Sequence, residues 1–355
     1  MTHPSQRTVD AGNYPIHIGP ESGARLAAFV RDGHFSQVFV LTDDHTATHC
    51  WPRWEHLLPA AHHLSIPHGE PHKSLATCAT VWQALTDRRA DRKALLVNVG
   101  GGLVGDLGGF SAACYKRGID FVQAPTSLLA MVDASAGGKT GVNFDHYKNQ
   151  VGAFRDPRAV FIEPAFLETL PPRELRSGFA ELLKHALIAR RDRWEPLATA
   201  RAMPTHWTDF IAESIQIKVD IVTEDPFERG ARKALNFGHT IGHAAESYFM
   251  TSDPLLHGEA VALGMVCEAF ISEQRGLLSP AERHEIDAVL QRIFGHRALP
   301  EAAFPDLLQL TRQDKKNQGG EILCTLLDGI GAFRINQALT PAEIEASFHH
   351  YNSLS

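Results

Sequence analysis

The sequence contains few cysteines, no long hydrophobic run and no excess of positive charge. Its 5 cysteines among 355 residues are scattered and without C-x-x-C spacing, so neither a disulfide framework nor a cysteine-rich zinc site is indicated. No stretch reaches about 18 uninterrupted apolar residues, and the first residues lack the apolar core of a signal peptide. Lysine and arginine number 34 against 41 aspartate and glutamate, and the formal net charge of −7 disfavours nucleic acid and anionic membranes as partners. We expect a soluble, cytoplasmic protein that binds neither.

The composition is that of an ordinary folded protein with one conspicuous excess. Hydrophobic residues make up 44% of the chain, with 28 glycines and 20 prolines, which excludes disorder and collagen. Histidine, at 20 residues, is the excess. Such a number invites metal or proton chemistry, and the alternative is a set of surface histidines without a chemical role.

The first half of the chain alternates short apolar segments with helical patterns. Residues 37–41 and 94–99 have the apolar, β-branched character of buried strands, and residues 74–89 between them have the apolar spacing of a helix. Apolar strands that alternate with helices predict a parallel sheet covered by helices. We therefore expect a Rossmann-like α/β nucleotide-binding domain over residues 1–171.

The second half has a different pattern, in which long amphipathic segments are separated by proline, glycine and aspartate. The clearest of these segments cover residues 174–190, 207–223, 232–249 and 258–274. They predict an all-helical domain over residues 172–355. The natural boundary between the two domains is Pro171-Pro172.

A cluster of glycines follows the second predicted strand. Residues 100–102 stand where backbone N–H groups could approach a phosphate at the start of the next helix, although a plain tight turn is the alternative. The cluster is not G-x-G-x-x-G, and the acidic candidates Asp43 and Asp44 precede the glycines rather than follow them. A nucleotide site here would therefore be an atypical variant of the dinucleotide fold.

Residues 125–143 form a segment of small residues with one lysine and one aspartate that could act on a ligand. The segment contains a Walker-like Gly-Gly-Lys-Thr at residues 137–140, but Asp133 stands where a P-loop requires its first glycine. Hydrolysis of a nucleoside triphosphate is therefore disfavoured. A loop with backbone donors, Lys139 and Asp133 suits an anionic, hydroxylated small molecule.

Three histidine pairs have the i, i+4 spacing that places two rings on one face of a helix. Two pairs lie in segments with proline or aspartate that we interpret as loops, so surface decoration is favoured for His45 with His49 and for His68 with His72. The third pair, His239 and His243, lies within a helical pattern and is the better candidate for metal binding.

A carboxylate that could complete a metal site precedes this third pair. Glu181 and Lys184 share one face of a mostly apolar helix, and a buried glutamate needs a partner. A divalent cation held by two histidines and this glutamate would be one, whereas ion pairs on a helix surface or a hydrogen-bonded core histidine are the alternatives. Taken singly, four further cations indicate only solvated charge: Lys218, Arg232, Lys315 and Lys316.

Eight motifs follow one another in order within residues 69–331. They are Gly-Glu-x-x-Lys-Ser from residue 69, Gly-Gly-Gly-x-x-Gly-Asp from 100, Tyr-x-Arg-Gly-Ile from 115, Pro-Thr-x-Leu-Leu-Ala from 125 through Gly-Gly-Lys-Thr-Gly-Val-Asn ending at 143, Gly-x-Ala-Glu-x-x-Lys from 178, Leu-Asn-x-Gly-His-Thr-x-Gly-His from 235, Leu-His-Gly-Glu-x-Val-Ala from 256 and Asp-Lys-Lys-Asn from 314. In this order they resemble the 3-dehydroquinate synthase family of the sugar phosphate cyclases.

The resemblance implies that the helical second domain binds metal and substrate, and it implies roles for individual residues. Zinc, with cobalt as an alternative ion, would be held by Glu181, His239 and His257, which makes His243 a substrate-side residue and corrects the ligand pair suggested by spacing. The implied catalytic residues are Lys139, Lys184, His243, Asn236 and Asp133. The other implied substrate-binding residues are Arg117, Asn149, Lys218, Arg232, Lys315 and Lys316. The implied NAD contacts are Asp43, Glu70, Lys73, Gly102, Asp106, Thr126, Ser127, Lys148 and Thr169.

The resemblance also implies an activity. A 3-dehydroquinate synthase is a lyase that converts 3-deoxy-D-arabino-heptulosonate 7-phosphate to 3-dehydroquinate and phosphate, in the shikimate pathway of aromatic amino acid biosynthesis. The implied route is transient oxidation by NAD, β-elimination of phosphate, return of the hydride and an intramolecular aldol closure. A homodimer is implied as well. The alternatives are another sugar phosphate cyclase and a metal-dependent polyol dehydrogenase.

The sequence departs from the family pattern at four positions. His45 stands where asparagine is common, Ser127 replaces threonine, Met131 replaces glutamine and Pro226 replaces glutamate. The first two bear on the nucleotide contacts. None of the four removes a charged residue of the implied centre.

Overall fold

The computed structural model describes residues 6–145, 147–200, 202–250, 252–312 and 320–354. The chain divides into two compact units. The first contains the residues up to Pro171 together with Thr205–Val219, and the second contains Pro172–Pro204 together with the residues from Asp220 onward. One division therefore falls after Pro171, while Thr205–Val219 groups with the first unit.

The first unit alternates strands and helices along the chain. Its elements are β1 (Arg7–Asp10), β2 (Pro15–Ile18), α1 (Ser22–Asp32), β3 (Val38–Asp43), α2 (Asp44–His49), β4 (His62–Ile66), α3 (Leu75–Asp87), β5 (Leu95–Gly100), α4 (Gly102–Cys114), β6 (Asp120–Pro125), β7 (Lys139–Phe144), β8 (Tyr147–Phe154) and β9 (Val160–Ile162). Apolar sequence explains the central strands, since every residue of β5 is buried. α3 begins where Ser74 Oγ accepts a hydrogen bond from Thr77 N–H at 3.3 Å, a favourable N-cap.

Seven strands of this unit form one sheet in the order β1-β2-β9-β6-β5-β3-β4. β1 and β2 are antiparallel, and every other neighbouring pair is parallel. A buried core that includes Phe39, Leu96 and Phe121 joins the central strands to α3 and α4. This confirms the predicted parallel α/β fold, with β3, β5 and α3 at the positions expected from the sequence.

The carboxyl ends of three neighbouring parallel strands meet at one edge of the sheet. β3 ends at Asp43, β5 ends at Gly100 and β6 ends at Pro125, and Gly100 pairs with Pro125 in the register of β5 and β6. In folds of this type, ligands bind in the loops that follow these ends. The sheet therefore brings Asp43, the glycine cluster and Thr126 to one edge.

β7 and β8 form a separate antiparallel hairpin, in which Lys139 pairs with Phe154. Residues 139–143, predicted as part of a loop, therefore lie in a strand. The loop prediction is wrong there because residues 140–142 are buried and pair with β8. Earlier in the same segment, Ala130–Ala134 forms a π-helical turn.

The second unit is mostly helical. Its remaining elements, with α7 divided between the units after Val219, are α5 (Pro172–Ala189), α6 (Arg191–Thr199), α7 (Thr208–Glu224), α8 (His239–Phe249), α9 (His257–Gln274), α10 (Pro280–Phe294), α11 (Phe304–Arg312), β10 (Ile322–Leu327), β11 (Phe333–Leu339) and α12 (Pro341–Ser353). The expectation of an all-helical domain is wrong in one respect, since β10 and β11 form an antiparallel hairpin. Leu327 N–H of β10 donates to Ser272 Oγ of α9 at 3.1 Å. Within the described ranges, no helix combines the length and low polarity needed to cross a bilayer.

The helix predicted over residues 232–249 is two elements. A short helical turn covers Ala231–Asn236, and α8 starts only at His239. Gly238 between them has φ = +79°, a left-handed conformation that interrupts a right-handed helix and that glycine adopts readily. A Cβ at this position would also lie 2.8 Å from Val261 O of α9. The break places His239 in the first turn of α8.

Glu343 closes the N-terminus of α12 and pairs with Arg275. Glu343 Oε2 accepts a hydrogen bond from Thr340 N–H at 2.8 Å, and Thr340 Oγ1 accepts one from Glu343 N–H at 3.3 Å. Arg275 Nε–H donates to Glu343 Oε1 at 2.7 Å. The hydrogen bond from Arg275 is the main cause that lowers the pKa of Glu343 to about 2, against the opposing effect of burial.

We expect Glu343→Gln to lower the free energy of unfolding by about 1 kcal/mol at neutral pH. Because the pKa is 4.5 before folding and about 2 after it, this contribution is complete above pH 4.5 and is lost as the pH falls toward 2. Urea unfolding of both proteins over a series of acidic pH values measures the difference. Glu345→Gln, at an exposed position of the same helix, is the control. A difference that does not shrink on acidification would contradict this role of Glu343.

Candidate active site

Asp43 is fixed at the junction of β3 and α2. Its Oδ1 accepts a hydrogen bond from Thr46 N–H at 2.7 Å, and Thr46 Oγ1 accepts one from Asp43 N–H at 3.0 Å. On the neighbouring strand, Gly101 is the N-cap of α4 and Gly102 is its first residue. The glycine cluster therefore leads into a helix N-terminus, which suits a phosphate, and Asp43 ends the adjacent strand.

Lys73 is a buried lysine that links three segments predicted to bind cofactor or substrate. The residue is 6% exposed, and its Nζ donates to Asp106 Oδ2 and to Asn149 Oδ1, both at 2.6 Å. Burial raises the pKa of Asp106, and the Lys73 ammonium opposes that effect. Lys73 thus supplies the positive charge that the partly buried Asp106 carboxylate needs.

Asn143, which the sequence analysis did not single out, joins Glu70 to Asn149. Its Nδ2–H donates to Glu70 Oε1 at 2.8 Å, and its Oδ1 accepts from Asn149 N–H at 2.9 Å. Asn149 has φ = +51°, which asparagine tolerates better than most residues. Asn143 ends the Gly-Val-Asn motif, and that position in the sequence was the available signal for it.

The other predicted cofactor contacts are distributed over the loops of the first unit and β8. Thr126 directly follows β6, and its N–H donates to Gly100 O at 3.0 Å. Ser127 Oγ accepts from Ala130 N–H at 3.3 Å. Thr169 ends the helical turn after β9, and Lys148 lies at an exposed position of β8. The structure thus brings Thr126 and Ser127 to the glycine cluster.

Asp133 and Lys218 form an ion pair within the first unit. Lys218 is 5% exposed, and its Nζ donates to Asp133 Oδ1 at 2.6 Å and to the Asp133 carbonyl oxygen at 2.7 Å. Asp133 lies in the π-helical turn Ala130–Ala134, a geometry that recurs at functional sites. The structure therefore joins a predicted catalytic residue to a predicted substrate-binding residue.

Arg117 and Lys139 are exposed cations of the same unit. Arg117 has φ = +70° and the preceding Lys116 has φ = +49°, so two successive residues with side chains adopt the left-handed region. Such backbone strain costs about 1 kcal/mol or more and clusters at functional sites. Lys139 is the first residue of β7. Both cations are accessible to a soluble anion.

Glu181, His239 and His257 converge within the second unit. Glu181 lies on α5, His239 opens α8 and His257 opens α9. Glu181 Oε1 is 3.5 Å from His239 Nε2 and 3.4 Å from His257 Nε2. Glu181 is fully buried, and its Oε2 contacts the Lys184 ammonium. Three elements that are separate in sequence thus present a carboxylate and two imidazoles to one point.

These three side chains fit a divalent metal ion. Tetrahedral zinc at metal–ligand distances of about 2.1 Å separates its ligand atoms by about 3.4 Å. The two separations from Glu181 Oε1, 3.5 and 3.4 Å, match that value. Distance alone also groups His243, Glu246 and His257 as possible ligands. Burial favours the set with Glu181, because a fully buried carboxylate gains most from a cation.

A hydrogen bond orients the imidazole of His239, and a carboxylate lies beside the imidazole of His257. His239 Nδ1 lies 3.1 Å from Phe237 O, and since a carbonyl only accepts, Nδ1 carries the proton and Nε2 is left for a metal. His257 Nδ1 is 3.6 Å from Glu246 Oε2. Glu246 was not predicted, although its position three residues after His243 places it on the same face of α8.

The electrostatic environment favours a cation at this point. Burial lowers the pKa of His239 well below its usual range, which keeps the imidazole neutral. Burial would raise the pKa of Glu181, but Lys184 and the two imidazoles hold it well below its usual range. Burial acts downward on the pKa of His257, and Glu181 and Glu246 outweigh it and raise that pKa to about 10. Surroundings that favour a proton on His257 so strongly also favour a divalent cation in its place.

Lys184 and His243 accompany the three candidate ligands. Lys184 is 1% exposed and lies three residues after Glu181 on α5. The ring centroid of His243 is 5.1 Å from that of His239 and 5.8 Å from that of His257. The i, i+4 spacing singled out α8, which carries the candidate ligand His239, and His243 lies beside the candidate metal ligands.

Arg232 and Asn236 lie in the helical turn before α8. Arg232 is 2% exposed, and its Nη1–H donates to Pro226 O at 2.7 Å. Asn236 Nδ2–H donates to Glu228 Oε1 at 2.7 Å. The replacement of glutamate by Pro226 leaves this support of Arg232 intact, because it uses the main-chain carbonyl.

Lys315 and Lys316 lie outside the described residues. The loop interpretation of the segment with His45 and His49 is wrong, because the Asp43 cap starts helix α2 there. His45 is instead stacked on His68 with ring centroids 3.7 Å apart.

Comparison with solved structures defines the class. The chain is similar to 2-epi-5-epi-valiolone synthase from Streptomyces hygroscopicus, solved with NAD+ and Zn2+ bound, with a TM-score of 0.86 and 27% identity over 99% of both chains. Together with the parallel sheet, the mostly helical second unit and the candidate metal ligands, this similarity places the fold among the sugar phosphate cyclases. It also confirms the predicted fold class.

Sequence comparison then gives the family. The sequence profile of the 3-dehydroquinate synthase N-terminal region matches residues 63–177, and that of the C-terminal region matches residues 178–317. The chain is 38% identical over 335 residues to the 3-dehydroquinate synthase of Parabacteroides distasonis, which covers 92% of this chain and 95% of the relative. It is 43% identical over 342 residues to that of Xylella fastidiosa, 90% of each chain. The chain belongs to the 3-dehydroquinate synthase family and is an enzyme, which confirms the resemblance.

Proposed function

We propose that this chain converts 3-deoxy-D-arabino-heptulosonate 7-phosphate to 3-dehydroquinate and phosphate, a lyase reaction of the shikimate pathway. The observation that carries the proposal is the convergence of Glu181, His239 and His257 beside the buried Lys184. The names of the relatives at 38% and 43% identity support the choice of reaction.

The proposal assigns the two cofactors to residues already described. Glu181, His239 and His257 would hold zinc or cobalt, and NAD would contact Asp43, the start of α4 and the residues around Lys73. When bound, the nicotinamide would accept and return one hydride, and the metal ion would stabilise negative charge that develops on a substrate oxygen. The remaining tasks fall to side chains of the chain itself.

The side chains would bind the two anionic groups of the substrate and handle one proton. We assign Arg232 to the substrate carboxylate, because a guanidinium binds a carboxylate through two hydrogen bonds, and we assign Lys139 to the phosphate. His243, beside the candidate ligands His239 and His257, is positioned to hold or move a proton of a substrate hydroxyl. Lys218 is held in place by Asp133 and adds positive charge.

Two other reactions fit the same fold and are distinguished by substrate and product. Another sugar phosphate cyclase would release phosphate from sedoheptulose 7-phosphate or glucose 6-phosphate, which have no carboxylate for Arg232. A polyol dehydrogenase would release no phosphate and would accumulate NADH. Phosphate release measured with each substrate in parallel decides between them. Preference for either of these sugar phosphates, which lack a carboxylate, over the heptulosonate phosphate would refute the proposed reaction.

Lys139→Ala should lower kcat/KM for the heptulosonate phosphate by about 100-fold, through weaker phosphate binding and slower elimination. Lys139 is exposed at the start of β7, so its replacement should leave the core intact. Steady-state kinetics measure the effect. Lys93→Ala, at another exposed lysine of the same unit, is the control. Kinetics unchanged by Lys139→Ala would rule out the phosphate role.

We also propose that the chain acts as a homodimer in the cytoplasm. The proposed dimer rests on the family resemblance, and the proposed location rests on the scattered cysteines, which suit a reducing compartment. Light scattering after size-exclusion chromatography measures the mass of the particle, and a mass near the 39.0 kDa of one chain would contradict a dimer.

A further inference from the structure

A buried carboxylate on α9 caps α8 at the residue that carries a candidate metal ligand. Glu268 is fully buried. Its Oε2 accepts a hydrogen bond from Gly238 N–H at 2.6 Å, and its Oε1 accepts from Thr240 N–H at 3.1 Å and from Ile241 N–H at 3.2 Å. The first N–H groups of a helix have no partner within the helix, and here the Glu268 carboxylate accepts hydrogen bonds from them. The negative charge of Glu268 also lies at the positive end of the helix dipole.

The hydrogen bond to Gly238 connects Glu268 to the imidazole of His239. Phe237 C=O and Gly238 N–H belong to a single peptide unit, which is planar and rigid. Its N–H donates to Glu268 Oε2, and its oxygen accepts from His239 Nδ1–H at 3.1 Å. Nε2 of the same ring faces Glu181 Oε1 at 3.5 Å. Glu268 thus fixes the peptide unit whose carbonyl oxygen orients the His239 imidazole.

The close approach of α8 and α9 makes this contact possible. Gly264 lies one turn before Glu268 on α9, and a Cβ at Gly264 would lie 1.9 Å from Gly238 O. The two backbones therefore touch where the chain enters α8, and Glu268 on the same face of α9 reaches the N–H groups there. The sequence signal is a lone glutamate in the apolar stretch Met-Val-Cys-Glu-Ala-Phe, the same kind of signal that identified Glu181.

We propose that Glu268 is a positioning residue for His239, which acts through the peptide unit between Phe237 and Gly238. Metal-bound histidines usually have an outer partner that fixes the ring and raises its basicity, and loss of that partner weakens metal binding by about 10- to 100-fold. Here the partner is a peptide carbonyl whose own N–H is held by a buried carboxylate. The inference rests on the metal site of the proposed function.

The test measures zinc affinity by competition with a chromophoric chelator and records the visible spectrum of the cobalt-loaded protein. Glutamine at this position lacks the charge and offers one acceptor oxygen in place of two. We therefore expect Glu268→Gln to weaken zinc binding about 10- to 100-fold and to shift the cobalt bands. Glu343→Gln, which alters the carboxylate that caps α12, is the matched control. It should reduce stability and leave both metal readouts unchanged.

Each outcome decides one claim. Unchanged zinc affinity and an unshifted cobalt spectrum in folded Glu268→Gln would overturn the positioning role. Should Glu268→Gln fail to fold, Glu268→Asp, which keeps the charge but withdraws it from Gly238 N–H, is measured in the same way, and wild-type values there would also overturn it. Failure of the unsubstituted protein to bind a stoichiometric divalent metal would instead refute the metal site itself.

Discussion

Glu181→Gln should remove the metal ion and the activity together. Glutamine has nearly the same shape, but it lacks the negative charge that a divalent cation needs from this fully buried position. We expect zinc affinity to fall by more than the roughly 100-fold typical for loss of an outer partner and phosphate release to fall to background. Elemental analysis of the purified variant and the phosphate assay measure the two effects.

A comparison of histidine variants tests which ligand set is correct. His257 belongs both to the set with Glu181 and to the set with Glu246. His239 belongs only to the first of these two sets, and His243 belongs only to the second. The assignment predicts that His239→Ala and His257→Ala lose the metal and that His243→Ala retains it with impaired catalysis. His284→Ala, at an exposed position of α10, is the control. Full zinc content in Glu181→Gln, or loss of zinc in His243→Ala alone, would contradict the assignment.

Lys73→Met should lower the free energy of unfolding by about 3 kcal/mol, because it leaves the Asp106 carboxylate without its buried cation. The same change should weaken NAD binding strongly, since it also removes the hydrogen bond that holds Asn149. Urea unfolding measures the first effect, and titration with NAD measures the second.

The double variant Lys73→Met/Asp106→Asn separates the ion pair from other effects of the lysine. Once Asp106 is neutral, the loss of Lys73 should destabilise the protein much less. The double variant should therefore lose much less unfolding free energy than the sum of the losses in the two single variants. Additive losses would show that the two side chains do not stabilise each other and would contradict the network described here.

The parts of the fold that local sequence determines were predictable. β3 and β5 are short, apolar segments that contain valines, as expected for buried strands. Residues 258–274 were predicted as an amphipathic helix; the helix is present as α9, but its apolar residues lie on all sides because it is buried in the core. The β10–β11 hairpin was missed because a six-residue apolar run such as Ile322–Leu327 does not distinguish a strand from a buried helix segment. The break before α8 was missed because the conformation of Gly238 depends on contact with α9, which is distant in sequence.

The types of residue in the candidate site were predictable from the sequence, whereas most contacts between them were not. Spacing identified His239 and its helix, and a lone glutamate in an apolar helix identified Glu181. The proximity of His257 depends on how the starts of α8 and α9 meet α5, and helical spacing contains no information about that contact. The same reason explains why Asn143 and Glu268, which act through neighbours in space, were not predicted as parts of the site.

The central claim is that the enzyme uses NAD and regenerates it within each turnover while it eliminates phosphate from the heptulosonate phosphate. The most direct measurement supplies the purified protein with zinc, this substrate and NAD in an amount well below that of the substrate, and it follows phosphate and NADH together, with and without a chelator. We expect complete conversion to phosphate, no accumulation of NADH and loss of activity on chelation that zinc restores. Phosphate release that stops once NAD has been reduced, or that is insensitive to metal removal, would contradict this claim.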